Sequence, residues 1–520
     1  MLALSIATRH FKGLLAPLAY GQVAPVPFLW AERLMVIGFG VNEWALRALP
    51  VLAGCALCVA IILVGRRMLQ PGEVLVALVL IAFSQVLVRY SVEIKSYSWD
   101  ALLAVAVVGA AASLISRLDD WRSWAYLAGL GMVAALSSLS APFICLAAGV
   151  SLTVCALTAR RLDLLPRIGL LALLWATLFA LPYRLLYQGA GSATYMHTYW
   201  ASSFLLPGSA DLTARTHAAL VEMARAVDPG WTLFGLSVVP LGTMLLGTAL
   251  LWRRKGAPYA LLLVTPTIAL FAASVAAAYP IATRLILFAA PLSIMLMAVG
   301  VMGTAQMVRH VIPAVPTRWG AGLLLLPAIT TGVASVLIPR DQQLRPMVQE
   351  LTRHWRGGDA VYVFHRVVPA WLFHSTDWTR PNLKQLAWAM RVSGPGGLGH
   401  ENGPSRGPRP PGEGQDLVYE LNGHSILLGT SSGVQGRPVL VHQPIQPDEG
   451  WAANEVQRMR AASPVVWLII GNAISYGVDL GHILLNAAEQ AAGRVTFQDS
   501  LQDGRLYRLD FHSTTQKPRQ

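Results

Sequence analysis

The chain has 520 residues, 54% of them hydrophobic and 13% charged, with a mean hydropathy of +0.51 and a net charge of +13. A soluble domain carries roughly 25% charge, so one soluble core is excluded. Apolar stretches of 17 or more residues recur up to about residue 338, which requires a polytopic membrane protein. The basic excess sits in short loops between those stretches, so it reads as membrane topology and excludes nucleic acid as the partner.

In chain order, residues 1–40 do not form a clean span. Pro17, Pro25 and Pro27 break the run, and Glu32 and Arg33 interrupt it. The spacing predicts two short amphipathic helices at the interface, around the loop Tyr20 to Pro25. No signal-peptide pattern opens the chain. Spans are predicted at about 45–65, 72–88, 98–116, 123–140, 142–158, 167–186, 231–252, 258–279, 284–308 and 320–338, about ten in all. They are mostly unbroken. Alternate loops hold Arg66-Arg67, Arg117 with Arg122, Arg160-Arg161 with Arg167, Arg253-Arg254-Lys255, and Arg309 with Arg318. The positive-inside rule makes these cytoplasmic. The outer side then receives the 89–97 turn, a long loop at 187–230, the turn Tyr279 to Thr283, and everything after about 340. It also receives Met1, and the expectation is that one further helix precedes it in a longer reading frame.

Residues 341–520 change character. Short apolar runs at Ala360–Phe364, Pro438–Val441 and Val465–Ile470 suit buried parallel strands. Amphipathic stretches at Leu344–Trp355, Ala452–Ala462 and Leu480–Ala492 alternate with them. The expectation is a small extracytoplasmic α/β domain with an antiparallel edge strand at Arg505–Phe511. Residues 393–416 are rich in Gly and Pro and are expected to be a disordered loop. The predicted domains are therefore 1–340, in the membrane, and 341–520, outside it.

Chemistry is sought on the outer face, where charge is sparse. The polar stretch Arg89-Tyr90-Ser91-Val92-Glu93-Ile94-Lys95-Ser96-Tyr97-Ser98-Trp99-Asp100 separates two apolar runs. Charges at a membrane boundary are costly unless paired or wet. Glu93 can act as a base toward an acceptor, while Lys95 and Arg89 can hold phosphate oxygens. The plainer reading is an interfacial ion pair with snorkelling basic chains. Arg284 and Arg47 lie at outer ends of spans, against the positive-inside bias, and would suit a phosphate or pyrophosphate head group. Each would equally serve as a cap or an internal pair. In the 187–230 loop, Tyr195, Tyr199, Trp200 and Phe204 can stack on a sugar face. An aromatic belt is the alternative.

Metal and redox chemistry find little purchase. His197 has no partner at metal-ligand spacing, and Asp119-Asp120 sits beside Arg117 and Arg122 as a solvated ion pair. Cys55 and Cys58 form a C-x-x-C, but inside an apolar helix and without a second pair. No nucleotide-binding glycine motif is present, and no cofactor or metal set is evident.

The run Arg-Tyr-Ser-x-Glu-x-Lys-x-Tyr at 89–97 resembles the Ser-x-Glu-x-Arg-x-Tyr turn of GT-C type glycosyltransferases, the group of the protein O-mannosyltransferases and aminoarabinose lipid A transferases. Gly40 to Gly54 is similar to their second helix, and Tyr20-Gly21-Gln22-x-x-Pro25 to their first outer loop. Tyr199-Trp200-x-x-x-Phe204 and Tyr279-Pro280-x-x-x-Arg284-Leu285 are similar to later outer segments. The resemblance covers roughly residues 1–300, in order. It implies a GT-C-like bundle that moves a sugar from a polyprenyl-phosphate donor to a glycan, lipid or protein acceptor on the outer face of a bacterial inner membrane. Taken with the reading of the residues above, it leaves Glu93 as the candidate catalytic carboxylate, Lys95, Arg284, Arg89 and Arg47 as candidates for the donor phosphate, and Tyr97, Tyr20, Gln22, Tyr199, Trp200 and Tyr279 around the substrate. In such enzymes an acidic pair in the first outer loop supplies the base. Here no Asp precedes Asp100, so the resemblance also implies either an upstream start or a chain not competent for transfer. A flippase for lipid-linked sugars and an inactive envelope-assembly scaffold are the competing functions.

Overall fold

A computed structural model describes residues 1–187, 200–337, 344–392, 418–421, 424–428, 450–471, 474–475, 478–492, 494–501 and 504–511. The loop expected at 393–416, the strand expected at 438–441, His197 and Tyr199 lie outside the described residues. The chain divides into two compact units. One joins Phe11–Pro17 to Val23–Pro339; the other joins Met1–His10 and Leu18–Gln22 to Arg340–Gln520.

The first unit is helical. After α2 (Val26–Phe39) come α3 (Glu43–Met68), α4 (Pro71–Ala82), α5 (Gln85–Ser91), α6 (Tyr97–Ile115), α7 (Trp121–Ser137), α8 (Ala141–Thr158) and α9 (Leu165–Pro182). Then follow α10 (Leu212–Val227), α11 (Pro229–Leu233), α12 (Val238–Lys255), α13 (Ala257–Val275), α14 (Ala290–Val311) and α15 (Thr317–Leu337). Proline stands in the first turn of α4, α8, α9, α13 and α14, where its missing N–H has no helical bond to lose. Among the described residues, seven helices are long and apolar enough to cross a membrane, and α4 with α5, bent by 58°, is an eighth if the pair is one broken span. The two other expected spans fall short for local reasons. Helix α7 has 17 residues, and α12 ends in Arg253-Arg254-Lys255. Helices α6 and α14 are the most enclosed of the spans. Small residues suit that position, because helices in lipid associate by close packing rather than by hydrophobicity.

Three boundaries differ from expectation, each with a local cause. The 72–88 span is broken at Phe83-Ser84, where Ser84 starts a new helix by accepting from the Leu87 N–H at 3.3 Å. The break is accommodated by Gly332 of α15, where a Cβ would lie 2.4 Å from the Phe83 carbonyl oxygen. The span expected from 284 begins at Ala290, with Pro291 setting its first turn, so Arg284 lies in a non-helical turn. The 187–230 loop is in part helical, since α10 fills its second half.

Two ion pairs tie together the basic ends of the helices. Arg254 reaches Glu73 of α4 through both terminal nitrogens, at 2.7 and 2.8 Å. Arg161 reaches Asp119 at 2.8 Å, so Asp119 pairs with Arg161 rather than with its sequence neighbours. By antiparallel succession, the 92–96 and 276–289 turns lie at the opposite end of this bundle.

The second unit is α/β. It contains α1 (Leu2–Thr8), α16 (Leu344–His354), α17 (Val368–Ser375), α18 (Leu383–Val392), α19 (Trp451–Ala462) and α20 (Leu480–Ala491). Its strands are β1 (Ala360–Val363), β2 (Val418–Leu421), β3 (His424–Leu428), β4 (Val465–Gly471), β5 (Ile474–Ser475), β6 (Val478–Asp479), β7 (Arg494–Leu501) and β8 (Gly504–Asp510). The main sheet runs β2-β3-β1-β4-β8-β7, with β1 parallel to both β3 and β4. Strand β8 is antiparallel to β4, as expected, but β7 covers it, so it is interior rather than an edge. Trp371, Trp467, Tyr362 and Phe364 fill the core. Two buried carboxylates there are satisfied: Asp359 accepts from the Trp467 indole at 3.0 Å, and Glu455 accepts from Tyr362 and pairs with Arg458 at 2.9 Å. The N-terminal segments group with this unit because Leu4 and Tyr20 belong to the same core.

Candidate active site

The site is built on the turn between α5 and α6. Helix α5 ends at Ser91, whose hydroxyl donates back to the Val88 carbonyl at 2.7 Å. The chain then folds tightly, with the Lys95 N–H donating to the Glu93 carbonyl at 2.8 Å. Ser96 opens α6, and its hydroxyl donates to Asp100 Oδ2 at 3.1 Å. Tyr90 and Tyr97 flank the turn and meet edge to face, 5.2 Å between ring centroids. The Ser98 hydroxyl donates to the Tyr90 carbonyl at 3.3 Å and closes the loop.

A second segment, residues 276–289, meets this turn. Arg284 and Glu93 both act on the Lys95 ammonium, Glu93 favouring its charge and Arg284 opposing it. Burial has the largest effect, and together these lower the Lys95 pKa to about 8. Desolvation penalises the charged form of a lysine more than one carboxylate repays here. A third segment meets Arg284: the guanidinium carbon lies 4.7 Å from the centroid of the Trp200 ring, a cation–π distance. The second and third segments are tied by the Ile281 N–H donating to the Ser203 carbonyl at 2.8 Å, and the Leu205 N–H donates to Ser274 Oγ at the end of α13 at 3.1 Å. Tyr279 donates to the Leu285 carbonyl at 2.8 Å and packs on Phe143 and Phe288. Burial holds its phenol well above the ordinary value, so it is a neutral donor.

Beside the turn lies an apolar cavity of about 270 Å³. Val51, Gly54, Cys55, Leu57 and Cys58 of α3 line it, with Ile81, Ala82, Leu87 and Val88 from either side of the helix break. Tyr90, Ser91, Tyr97 and Ser98, the residues flanking the 92–96 turn, complete it with Leu287. The bend at Phe83-Ser84 sends α5 off the line of α4, and Gly54 lets it come close: a Cβ there would sit 3.0 Å from Ser91 Cβ. An apolar space next to a few converging polar groups is what an amphiphile with a charged head requires.

Glu93, Lys95, Tyr97, Trp200, Tyr279 and Arg284 thus belong to one neighbourhood. Arg89 is next to it, on the last turn of α5 and 5.9 Å from the Tyr90 ring. Arg47 is held elsewhere, by Glu43 one helical turn back at 3.6 Å, and is about half exposed. Tyr20 and Gln22 fall in the other unit, where Tyr20 is buried at a positive φ of 60° and Gln22 donates to its carbonyl at 3.4 Å.

Two residues of this neighbourhood escape sequence reasoning. Asp100 is buried one turn into α6, where the Ser96 hydroxyl donates to its carboxylate. Its position inside an apolar helix was the available signal. Glu222 of α10 accepts from the Thr283 N–H at 2.9 Å and from the Thr283 hydroxyl. That contact joins residues 61 apart, and no local pattern announces it.

No protein-family model matches the sequence, and no curated protein matches it. Solved structures do. The chain is similar to ArnT from Cupriavidus metallidurans bound to undecaprenyl phosphate, with TM-score 0.51 and 11% identity over 99% of this chain and 94% of that one. ArnT from the same organism in the apo state gives 0.49 and 11%, over 97% and 92%. The oligosaccharyltransferase AglB from Archaeoglobus fulgidus, in complex with an inhibitory peptide and a dolichol-phosphate, gives 0.39 and 15%, over 68% and 54%. The first likeness shows the architecture: the chain has a GT-C type membrane fold with an α/β C-terminal region.

Proposed function

We propose that this protein is a membrane glycosyltransferase that takes a sugar from a polyprenyl-phosphate donor and passes it to a glycan, lipid or protein acceptor on the outer face of the inner membrane. One observation carries the reading: the turn that bears Glu93 and Lys95 is flanked by residues lining an apolar cavity, and Arg284 comes from a second segment to act on Lys95. The cavity suits an isoprenoid chain, and the two cations suit the phosphate that joins it to the sugar. The fold is that of a protein crystallised with undecaprenyl phosphate, which agrees with that assignment.

In this reading, the Glu93 carboxylate takes the proton of the acceptor hydroxyl or amine as its oxygen or nitrogen attacks the anomeric carbon. The bond from that carbon to the phosphate oxygen breaks, and its electron pair leaves on the phosphate. Lys95 and Arg284, aided by Arg89, neutralise the charge that develops there. Donors already in place need no reorganisation during the step. Trp200, Tyr97 and Tyr279 border the sugar, where apolar ring faces match its C–H face.

The test is release of free polyprenyl phosphate by the purified full chain in nanodiscs, supplied with undecaprenyl-phosphate sugars and candidate acceptors. Glu93→Gln should lower turnover by about 10²- to 10⁴-fold, the usual worth of a positioned base. Lys95→Ala and Arg284→Ala should mainly weaken donor binding. Full activity in all three variants, at normal expression, would refute the assignment. The bend between α4 and α5 also suits a carrier of lipid-linked sugars, since transporters bind at interrupted helices. Movement of the intact donor across a vesicle membrane without release of polyprenyl phosphate would favour that second reading.

A further inference from the structure

We infer that α10, an amphipathic helix of the 200–230 region, is the positioning element for the anion-facing cation of the site. The inference rests on the reading of Arg284 as a phosphate ligand. Arg284 and Trp200 come from segments more than 80 residues apart, yet the Arg284 guanidinium carbon lies over the Trp200 ring, 4.7 Å from its centroid. The attraction of a cation for an aromatic face acts within about 6 Å of the centroid. The contact therefore holds Arg284 only while both segments keep their places, and something must fix both partners.

Helix α10 contacts both segments. Arg215, buried in its first turn, is held by Asp211 at 2.9 Å and donates to the carbonyls of Ala201 at 2.6 Å and Phe204 at 3.3 Å. That fixes the segment that carries Trp200. Glu222, seven residues later, accepts from the backbone N–H and the hydroxyl of Thr283, the residue before Arg284. Seven residues are two helical turns, so the two clamps share one face of α10. Glu222 is in turn held by Arg225 at 2.5 Å, which presets its carboxylate. Met223, Ala224, Ala226 and Val227 bury the last turns of the helix. One rigid element thus spaces the Trp200 segment against the Thr283-Arg284 turn. Glu222 and Arg215 are positioning residues that act through Arg284 and Trp200. A misplacement of about 1 Å in such a ligand can cost 10²-fold in rate.

The experiment measures the Kd for undecaprenyl phosphate with the full chain in nanodiscs. Glu222→Ala should weaken binding about tenfold, equivalent to one charge-assisted hydrogen bond. Glu222→Gln keeps an acceptor for the Thr283 N–H and should recover most of that loss. Thr283→Val, which keeps shape and removes only the hydroxyl bond, should give a smaller loss and serves if Glu222→Ala does not fold. The deciding readout is the cycle with Arg284→Ala. If Glu222 acts through Arg284, the double variant binds no more weakly than Arg284→Ala alone, within about twofold. If Arg284→Ala weakens binding while Glu222→Ala and Thr283→Val do not, or if the losses multiply, the positioning role is wrong and the phosphate assignment stands. If Arg284→Ala binds like the wild type, the phosphate assignment itself fails and takes this inference with it.

Discussion

Lys95 offers the sharpest test of the proposed donor site, through pH. Burial desolvates its ammonium and Arg284 opposes its charge, so its pKa in the protein is lowered to about 8. An anionic head group binds the ammonium form. Raising the pH through about 8 removes that form, so binding weakens with rising pH. If only the cation binds, the apparent Kd at pH 9.5 should be about thirtyfold above its value at pH 7, because only about 3% of the lysine is then protonated. An ordinary lysine, with a pKa of about 10.4, would change Kd by only about 10% over the same range. The ligand should not confuse the result, since the second ionisation of a phosphate monoester lies near pH 6. The assay is titration of undecaprenyl phosphate into nanodisc-embedded protein at half-unit steps between pH 7 and 9.5, at constant ionic strength. Lys95→Arg is the control: a guanidinium stays charged throughout, so its curve should be flat. A flat wild-type curve, or an equal fall in Lys95→Arg, would refute the assignment of Lys95 to the phosphate.

Other expectations follow from packing and from one buried acid. Gly332→Ala should lower the thermal midpoint, by about 1–3 kcal/mol of stability, because the new Cβ would meet the Phe83 carbonyl at 2.4 Å and backbone cannot step aside easily. An unchanged midpoint would mean that the α4–α5 break is not packed as described. Gly54→Val should narrow the cavity and weaken binding of undecaprenyl phosphate several-fold; equal binding would show that the isoprenoid lies elsewhere. Glu32 is fully buried in α2, neither carboxylate oxygen has a hydrogen-bond partner among the described residues, and burial raises its pKa to about 8. The folded state therefore holds this proton more tightly than the unfolded state, whose value is near 4.5. The destabilisation is absent below that value, grows as pH rises, and is complete above about 8. Glu32→Leu should thus raise the thermal midpoint, with a gap over the wild type that widens between pH 5 and 8. A gap independent of pH would contradict the buried, unpartnered acid.

Much of the architecture follows from the order of residues alone, because lipid leaves so few options. A run of apolar residues in a bilayer must be helical, since no water is available to its backbone, so the spans are legible from composition. The alternating α/β pattern of 341–520 is equally local: buried parallel strands are short apolar runs, and β1 and β4 stand where such runs stand. The 89–97 stretch stands out for the same reason, as costly charge in an apolar setting. What one dimension could not supply is the geometry between distant segments. The break at Phe83-Ser84 is decided by Ser84 capping and by the space that Gly332 leaves, 248 positions further on in the chain. The Arg284–Trp200 cation–π contact, and the hold of Glu222 on Thr283, join segments whose spacing carries no period. Arg47 and Arg284 look alike in the sequence, both basic and both near the outer end of a span. Folding separates them, because Arg47 has a carboxylate within one helical turn, whereas Arg284 lies in a turn that tertiary contacts carry to Lys95 and Trp200. Periodicity and transfer energies belong to single segments and can be read from them. Side-chain encounters depend on how the helices cross, and only the packed molecule settles that.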